Sequence, residues 1–240
     1  KRAALVVFTS HLARAFPEKS PAEIQRIARR SVESFGAALL DFLVISELSR
    51  EEVLSRGTFS GLEHLAAARR RGHGVFLLSA HFGGWETAAI AIGLLGQPIA
   101  LLARPLDNPL LEEELARRRT RFGNRLIQKK DAARELLRAM RNSETVAILM
   151  DQNVLREEAV FVPFFGRLAA TTPSLALLQL KTDAAVVPIF TWPEENGRYR
   201  LGLEEPILAE EFLSGDADRA ERVRRATTRY MEVTEAAVGV

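Results

Sequence analysis

From Gly72 onward, short apolar runs alternate with longer amphipathic segments, and this alternation limits the possible folds more than any other feature. Runs this short and this apolar are typical of strands buried on both faces, as in a parallel sheet with helices on each side. The pattern therefore predicts an α/β fold with a mostly parallel central sheet flanked by helices. The predicted strands are residues 75–79, 99–102, 145–150, 185–190 and 199–203. The predicted helices are residues 84–95, 108–121, 132–141, 173–182 and 216–236.

The first 56 residues lack this alternation and are predicted to be helical. Ser20 and Glu23 enclose Pro21 in a capping-box pattern, which indicates that a helix begins there. Apolar residues then recur at helical spacing as far as Phe42. We predict one domain over residues 1–240, with a helical N-terminal part (1–56) and an α/β core (57–240).

The composition excludes several kinds of chemistry. The chain contains no cysteine, which rules out disulfides, thiolate nucleophiles and cysteine-bound metals. Its net charge is only +2, but basic residues are bunched after the second predicted strand. Such a cluster suits anionic phospholipid, phosphorylated sugars or an acidic carrier protein. Nucleic acid is disfavoured because Phe122 is the only aromatic residue available there for stacking. The cluster comprises Arg117, Arg118, Arg119, Arg121, Arg125, Lys129 and Lys130.

Ionisable side chains follow three of the predicted strands, where ligand sites of open parallel sheets gather. The sharpest of these segments begins at His81, and Glu86 lies about one helical turn into the next helix. A carboxylate bound to one imidazole nitrogen fixes the tautomer and leaves the other nitrogen free as a general base. Two other readings stay open: a structural histidine that caps a turn, and a metal site that adds Asp151. The sequence has no H-E-x-x-H motif, phosphate loop or dinucleotide fingerprint, so we expect neither a metal nor a cofactor.

Five motifs in order carry a resemblance to a known family. They are HFGGWE at 81–86, RPLDNP at 104–109, GNRLI at 123–127, LMDQN at 149–153 and VPFFG at 162–166. Together they resemble the late acyltransferases of bacterial lipid A biosynthesis and the related phosphatidylinositol mannoside acyltransferases. The likeness extends from about Arg14 to Ala236. It implies a glycerolipid-acyltransferase-like α/β fold.

The resemblance also implies roles for particular residues. His81 and Glu86 match the catalytic pair of the family, and Asp151 matches an important aspartate after the central strand. Arg119 aligns best with a functional arginine before the Gly-Asn motif, with Arg121 as the competing position. The remaining matched positions, with structural or substrate-positioning roles, are Arg104 and Asn108.

The expected reaction moves an acyl chain from acyl carrier protein, or from acyl coenzyme A, to a glycolipid hydroxyl at an anionic membrane surface. Glu86 favours the lipid A branch, and a mannoside-type acyltransferase is the alternative within the family. A lipid hydrolase and a catalytically silent lipid-binding or carrier-binding module are alternatives of other kinds. Family members begin with a membrane-anchoring helix that is not complete in this chain. The implied location is the cytoplasmic face of the inner membrane, peripheral or anchored by such a helix.

Overall fold

A seven-stranded sheet forms the centre of the computed structural model, which describes residues 2–128 and 132–239. The helices are α1 (Arg2–Ala15), α2 (Pro21–Ile45), α3 (Arg50–Arg56), α4 (Leu62–Arg70), α5 (Trp85–Leu94), α6 (Pro109–Thr120), α7 (Ala132–Arg141), α8 (Ser174–Thr182) and α9 (Arg219–Val238). The strands are β1 (Gly57–Ser60), β2 (Val75–Ser79), β3 (Ala100–Ala103), β4 (Arg125–Gln128), β5 (Thr145–Leu149), β6 (Val160–Phe164), β7 (Arg167–Thr171), β8 (Ala185–Pro193) and β9 (Tyr199–Leu203).

The strand order is β1-β9-β8-β2-β5-β3-β4, and only the β8–β9 pairing within this sheet is antiparallel. The predicted α/β fold with a mostly parallel sheet is therefore confirmed. Two hydrophobic clusters cover the two faces, because alternate residues of β2 point in opposite directions. Phe76 and Leu78 pack with α7, α8 and α9, whereas Val75 and Leu77 pack with α2, α4 and α5.

The five predicted strands are all present, and two have the predicted bounds, 75–79 and 199–203. The capping box at Ser20 is also confirmed, since its hydroxyl accepts from the Glu23 amide and the Glu23 carboxylate accepts from the Ser20 amide. Sequence analysis missed the edge strands β1 and β4 and the separate β6–β7 hairpin. The two edge strands are four residues long and only partly buried, so neither contains a continuous apolar run.

The edge of the sheet at the carboxyl end of β2 brings three predicted site segments together. β2 pairs in parallel with β5 from Val75 opposite Thr145 to Ser79 opposite Leu149. β5 in turn lies beside β3, also in parallel. The chain segments that leave these strands therefore start from one edge. Within the described residues, no helix has both the length and the apolar character needed to cross a bilayer.

Candidate active site

His81 and Asp151, which follow the adjacent strands β2 and β5, are joined by two hydrogen bonds. The backbone N–H of His81 donates to Asp151 Oδ2 at 2.9 Å, and the ring atom Nδ1 lies 2.9 Å from Oδ1. An ionised carboxylate only accepts hydrogen bonds, so Nδ1 carries the proton. In the neutral ring, Nε2 therefore has its lone pair free and can act as a base.

The pKa of the His81 imidazole is raised above its usual value. The largest cause is the hydrogen bond with Asp151, which burial of the ring opposes. The negative charges of Asp151 and Glu86 raise the pKa further, and the positive charge of Arg119 lowers it. The carboxylates thus stabilise the imidazolium that forms when His81 takes a proton.

Glu86 does not form the hydrogen bond to His81 that the sequence predicted; within the described structure, the partner of the ring is Asp151. The buried Glu86 carboxylate instead accepts from Arg119, with Oε2 at 3.0 Å from Nε and Oε1 in contact with Nη2. The planar guanidinium matches both carboxylate oxygens at once, which explains why Arg119 and not an imidazole occupies this position. Arg119 comes from the last turn of α6. Glu86 and Arg119 are therefore paired with each other, close enough to the His81 ring for both charges to affect its pKa.

The turn between β2 and α5 requires glycine. Gly83 has a φ of +55°, and a Cβ atom there would lie 1.8 Å from the carbonyl oxygen of Thr191 on β8. The Gly84 N–H donates to that same oxygen at 3.2 Å. The turn therefore packs directly against β8. Because the Gly84 amide already donates to Thr191, it is not available to a substrate oxygen.

The other predicted binding residues have varied surroundings. Arg104 follows β3, is exposed and has no hydrogen bond or ion pair within the described residues. Asn108 is the N-cap of α6, where its Oδ1 accepts from the amides of Leu110 and Leu111. Arg121 donates to the Ser46 carbonyl at the end of α2. The geometry thus gives Asn108 and Arg121 structural contacts and does not bring them to His81.

The predicted basic cluster is mostly paired within the fold. Arg117 and Arg118 both bind Glu47 and Glu114. Arg125 binds Glu144 at 2.6 Å. The remaining members, Lys129 and Lys130, lie outside the described residues. The part of the cluster that can be described therefore contributes to helix packing more than to a free cationic surface.

A narrow pocket adjoins the Glu86–Arg119 pair. Trp85, Glu86 and Arg119 line its polar part, and apolar side chains from β2, α5, β3 and β5 line the rest. Its volume is ≈70 Å³. Small residues, including Ala88, Ala89, Ala103 and Ala147, make up much of the apolar wall.

Two contacts of His81 were not predicted from the sequence. Trp85 lies with its ring centroid 5.4 Å from that of His81, in an edge-to-face arrangement. Asp151 was expected at the cleft but not as the partner of the histidine. The sequence places both residues just after predicted strands, but only the structure shows that these strands, β2 and β5, are parallel neighbours. In the described residues, no group of three or more His, Asp or Glu residues could hold a metal ion.

Comparison with known proteins gives one consistent result. Residues 9–231 match the family model described as bacterial lipid A biosynthesis acyltransferase. A lipid A biosynthesis acyltransferase of Haemophilus influenzae is 25% identical over 214 residues, covering 89% of this chain and 66% of the relative. The lipid A biosynthesis myristoyltransferase of Escherichia coli K12 is 29% identical over 210 residues, covering 86% of this chain and 64% of the relative. A phosphatidylinositol mannoside acyltransferase of Mycobacterium tuberculosis is 24% identical and covers 70% of this chain.

Among solved structures, the 1-acyl-sn-glycerophosphate acyltransferase of Thermotoga maritima covers 98% of this chain with a TM-score of 0.44 and 15% identity. The chain spans about two thirds of the length of the Haemophilus and Escherichia relatives. The family resemblance inferred from the five motifs is confirmed by the match over residues 9–231. The chain belongs to the bacterial lipid A biosynthesis acyltransferase family.

Proposed function

We propose that this protein transfers a fatty acyl chain from a thioester donor to a hydroxyl group of a glycolipid, with His81 as the general base. The observation that carries the proposal is the Asp151–His81 pair, which leaves Nε2 free. Trp85, whose ring contacts His81, lines an apolar pocket together with the buried Glu86–Arg119 pair. The donor is an acyl carrier protein thioester or acyl coenzyme A. The acceptor is a lipid A precursor, with a mannoside-type glycolipid as the alternative.

The base acts on the acceptor hydroxyl. Nε2 of His81 removes its proton as the oxygen attacks the thioester carbonyl carbon. The tetrahedral intermediate then collapses, the carbon–sulfur bond breaks, and the departing thiolate takes the proton from the imidazolium. The products are an ester and a free thiol. Proton transfer by a positioned base contributes roughly a hundred- to ten-thousandfold to such a rate.

Arg119 is the best placed donor for the negative charge of the intermediate. Glu86 uses the Nε–H and one Nη2–H of Arg119, so other N–H groups of the guanidinium stay free. The Gly84 amide, an alternative donor, is already bound to Thr191. A preoriented cation in a partly dry pocket stabilises developing negative charge more strongly than water does. Glu86 is then a positioning residue, because it holds Arg119 in place and takes no part in the proton transfer.

The apolar pocket is the proposed site of the acyl chain. A chain that leaves water for an apolar wall gains free energy in proportion to the area it buries. Ligand pockets are commonly about 300–1,000 Å³, whereas this pocket measures ≈70 Å³. Binding a whole acyl chain therefore requires the pocket to widen, and the alanine-rich wall leaves fewer large side chains to displace.

An exposed apolar face of α2 supports association with a membrane surface. Its members share one side of the helix and are Val32, Phe35, Leu39, Leu40, Leu43 and Val44. Leu110 and Leu111 at the start of α6 and Leu155 beyond β5 add exposed apolar groups that follow the strands of the active-site edge. Apolar faces of this kind lie in the lipid interface without spanning it. We propose peripheral association with the cytoplasmic face of the inner membrane.

The test is to incubate the purified full-length protein with labelled acyl carrier protein or acyl coenzyme A thioesters and extracted glycolipids. Labelled glycolipid with stoichiometric release of thiol is the expected result. Labelled free fatty acid without glycolipid would identify a hydrolase instead. Binding without turnover would identify a silent lipid-binding or carrier-binding module. Label on a mannoside lipid alone would assign the alternative acceptor.

A further inference from the structure

Two aromatic contacts connect the catalytic histidine to the exposed apolar face of α2. The hydrogen bond from Nδ1 to Asp151 fixes one point of the His81 ring but leaves the tilt of the ring about that bond unrestrained. The Trp85 ring meets the His81 ring at 5.4 Å with an interplanar angle of 64° and restricts this tilt. Edge-to-face pairs at this separation are favourable beyond the area that they bury.

A side chain of α2 in turn packs against Trp85. Phe35 stacks on Trp85 with ring centroids 5.4 Å apart and an interplanar angle of 30°. Phe35 remains 49% exposed and lies at the edge of the apolar face, on the side of the helix that also carries the buried residues Ala28 and Phe42. Within the described helix, residues 29–41 include no buried side chain. A stretch with so few buried contacts is weakly held by the core, so its position depends on what covers its outer face.

We propose that Trp85 is a positioning residue for His81, and that Phe35 makes this positioning depend on contact between α2 and lipid. This inference rests on the proposed function, because it takes His81 as the base and a lipid surface as the occupant of the α2 face. Lipid covering α2 favours the arrangement in which Phe35 rests on Trp85 and the His81 ring is held toward the acceptor. Since lipid then binds the active arrangement better than other arrangements, the equilibrium shifts toward the active one. The enzyme is consequently faster at a lipid surface than on dispersed acceptor.

The kinetic test compares truncations of two exposed apolar side chains of α2. Phe35→Ala and Leu40→Ala both remove exposed apolar side chains, but of the two residues it is Phe35 that stacks on Trp85. We expect both to raise KM for acceptor in vesicles, but only Phe35→Ala to lower kcat. The expected loss is about tenfold or more, up to the hundredfold that a misplacement of ~1 Å can cost. Phe35→Tyr keeps the ring and should restore kcat. Equal kcat values for Phe35→Ala and Leu40→Ala would overturn the proposal.

A second measurement does not depend on transfer activity. The chain has two tryptophans, so Trp192→Phe leaves Trp85 as the only indole. A protonated imidazole in contact quenches indole fluorescence, so the emission of Trp85 should fall as pH drops through the pKa of His81. Adding vesicles of anionic phospholipid should increase the amplitude of this quenching. His81→Gln should abolish the quenching, and Phe35→Ala should remove its response to vesicles.

The two measurements separate the failure of this inference from the failure of the proposed function. A protein that transfers no acyl group but retains the quenching, its loss in His81→Gln and its response to vesicles would refute the proposed reaction alone. Emission that is insensitive to pH, or a response to vesicles that persists unchanged in Phe35→Ala, would overturn the inference whether or not transfer occurs.

Discussion

Replacing Asp151 by Asn tests the geometry of the base most sharply. Asp151 accepts two hydrogen bonds, from the backbone N–H and from the ring Nδ1–H of His81. Asparagine has one acceptor oxygen, so it can satisfy only one of these donors well. When that oxygen serves the backbone, its NH₂ group faces Nδ1 and favours the tautomer with the proton on Nε2. Nε2 then cannot act as the base.

The size of the effect follows from the charge that is removed. A hydrogen bond to a charged group contributes about 1.5–3 kcal/mol. The side chains of His81 and Asp151 are 30% and 23% exposed, so solvent screening favours the low end of that range. Loss of a positioned base lowers kcat by about a hundred- to ten-thousandfold.

The assay is the pH dependence of kcat/KM for transfer. His81 must be deprotonated to act, so activity falls as pH drops below its pKa, which Asp151 raises. In Asp151→Asn the acidic limb should move to lower pH, because the hydrogen bond and the charge that raise the pKa of His81 are lost, and kcat should fall at every pH.

A matched control is available just before the amino ends of β2 and β8, where His73 Nδ1 and Asp183 Oδ2 form another pair at 2.9 Å. Asp183→Asn removes a comparable contact far from the site and should leave the profile unchanged. An unshifted acidic limb with kcat near the wild-type value in a folded Asp151→Asn protein would refute the role assigned to Asp151.

Three further changes test other parts of the site. Glu86→Gln should lower kcat and also destabilise the fold by about 3 kcal/mol, because Arg119 is left as a partly buried unpaired cation. An unchanged urea concentration at the midpoint of unfolding would contradict this. Gly83→Ala should destabilise the protein by more than about 2 kcal/mol, since its φ is positive and its Cβ would meet the Thr191 carbonyl; thermal unfolding measures this, and Gly72→Ala, which has positive φ but no atom within 4 Å, is the control. Dialysis against a chelator should leave transfer unchanged, whereas a loss that zinc or magnesium restores would move His81 and Asp151 into a metal site.

The main features of the fold could be predicted because its central strands are short, apolar and bounded by turn residues. β2 is buried along its whole length, and its bounds were predicted correctly as 75–79. The β6–β7 hairpin could not be foreseen in the same way, because each of its strands has one buried residue, Val162 or Thr171, and Pro163 lies within it. The two edge strands show that a strand can be specified by its neighbour and not by its own composition.

The residues of the candidate site could be predicted better than their partners. The strand exits brought His81 and Asp151 to one edge, as expected. The pairing of Glu86 was predicted wrongly because spacing along one helix does not reveal what approaches from another helix. Arg119 comes from α6, and its guanidinium competes for the Glu86 carboxylate with a geometry that an imidazole cannot match. Only the packing of α6 against α5 decides that competition.

Mass spectrometry of membrane lipids tests the central claim most directly. Lipids would be compared among cells with the gene, without it, and with a His81→Ala allele expressed at the wild-type level. The proposed function predicts that a glycolipid lacks one acyl chain when the gene is absent, and that the His81→Ala allele fails to restore it although the protein folds. An unchanged glycolipid profile after loss of the gene, or full restoration by His81→Ala, would contradict the account.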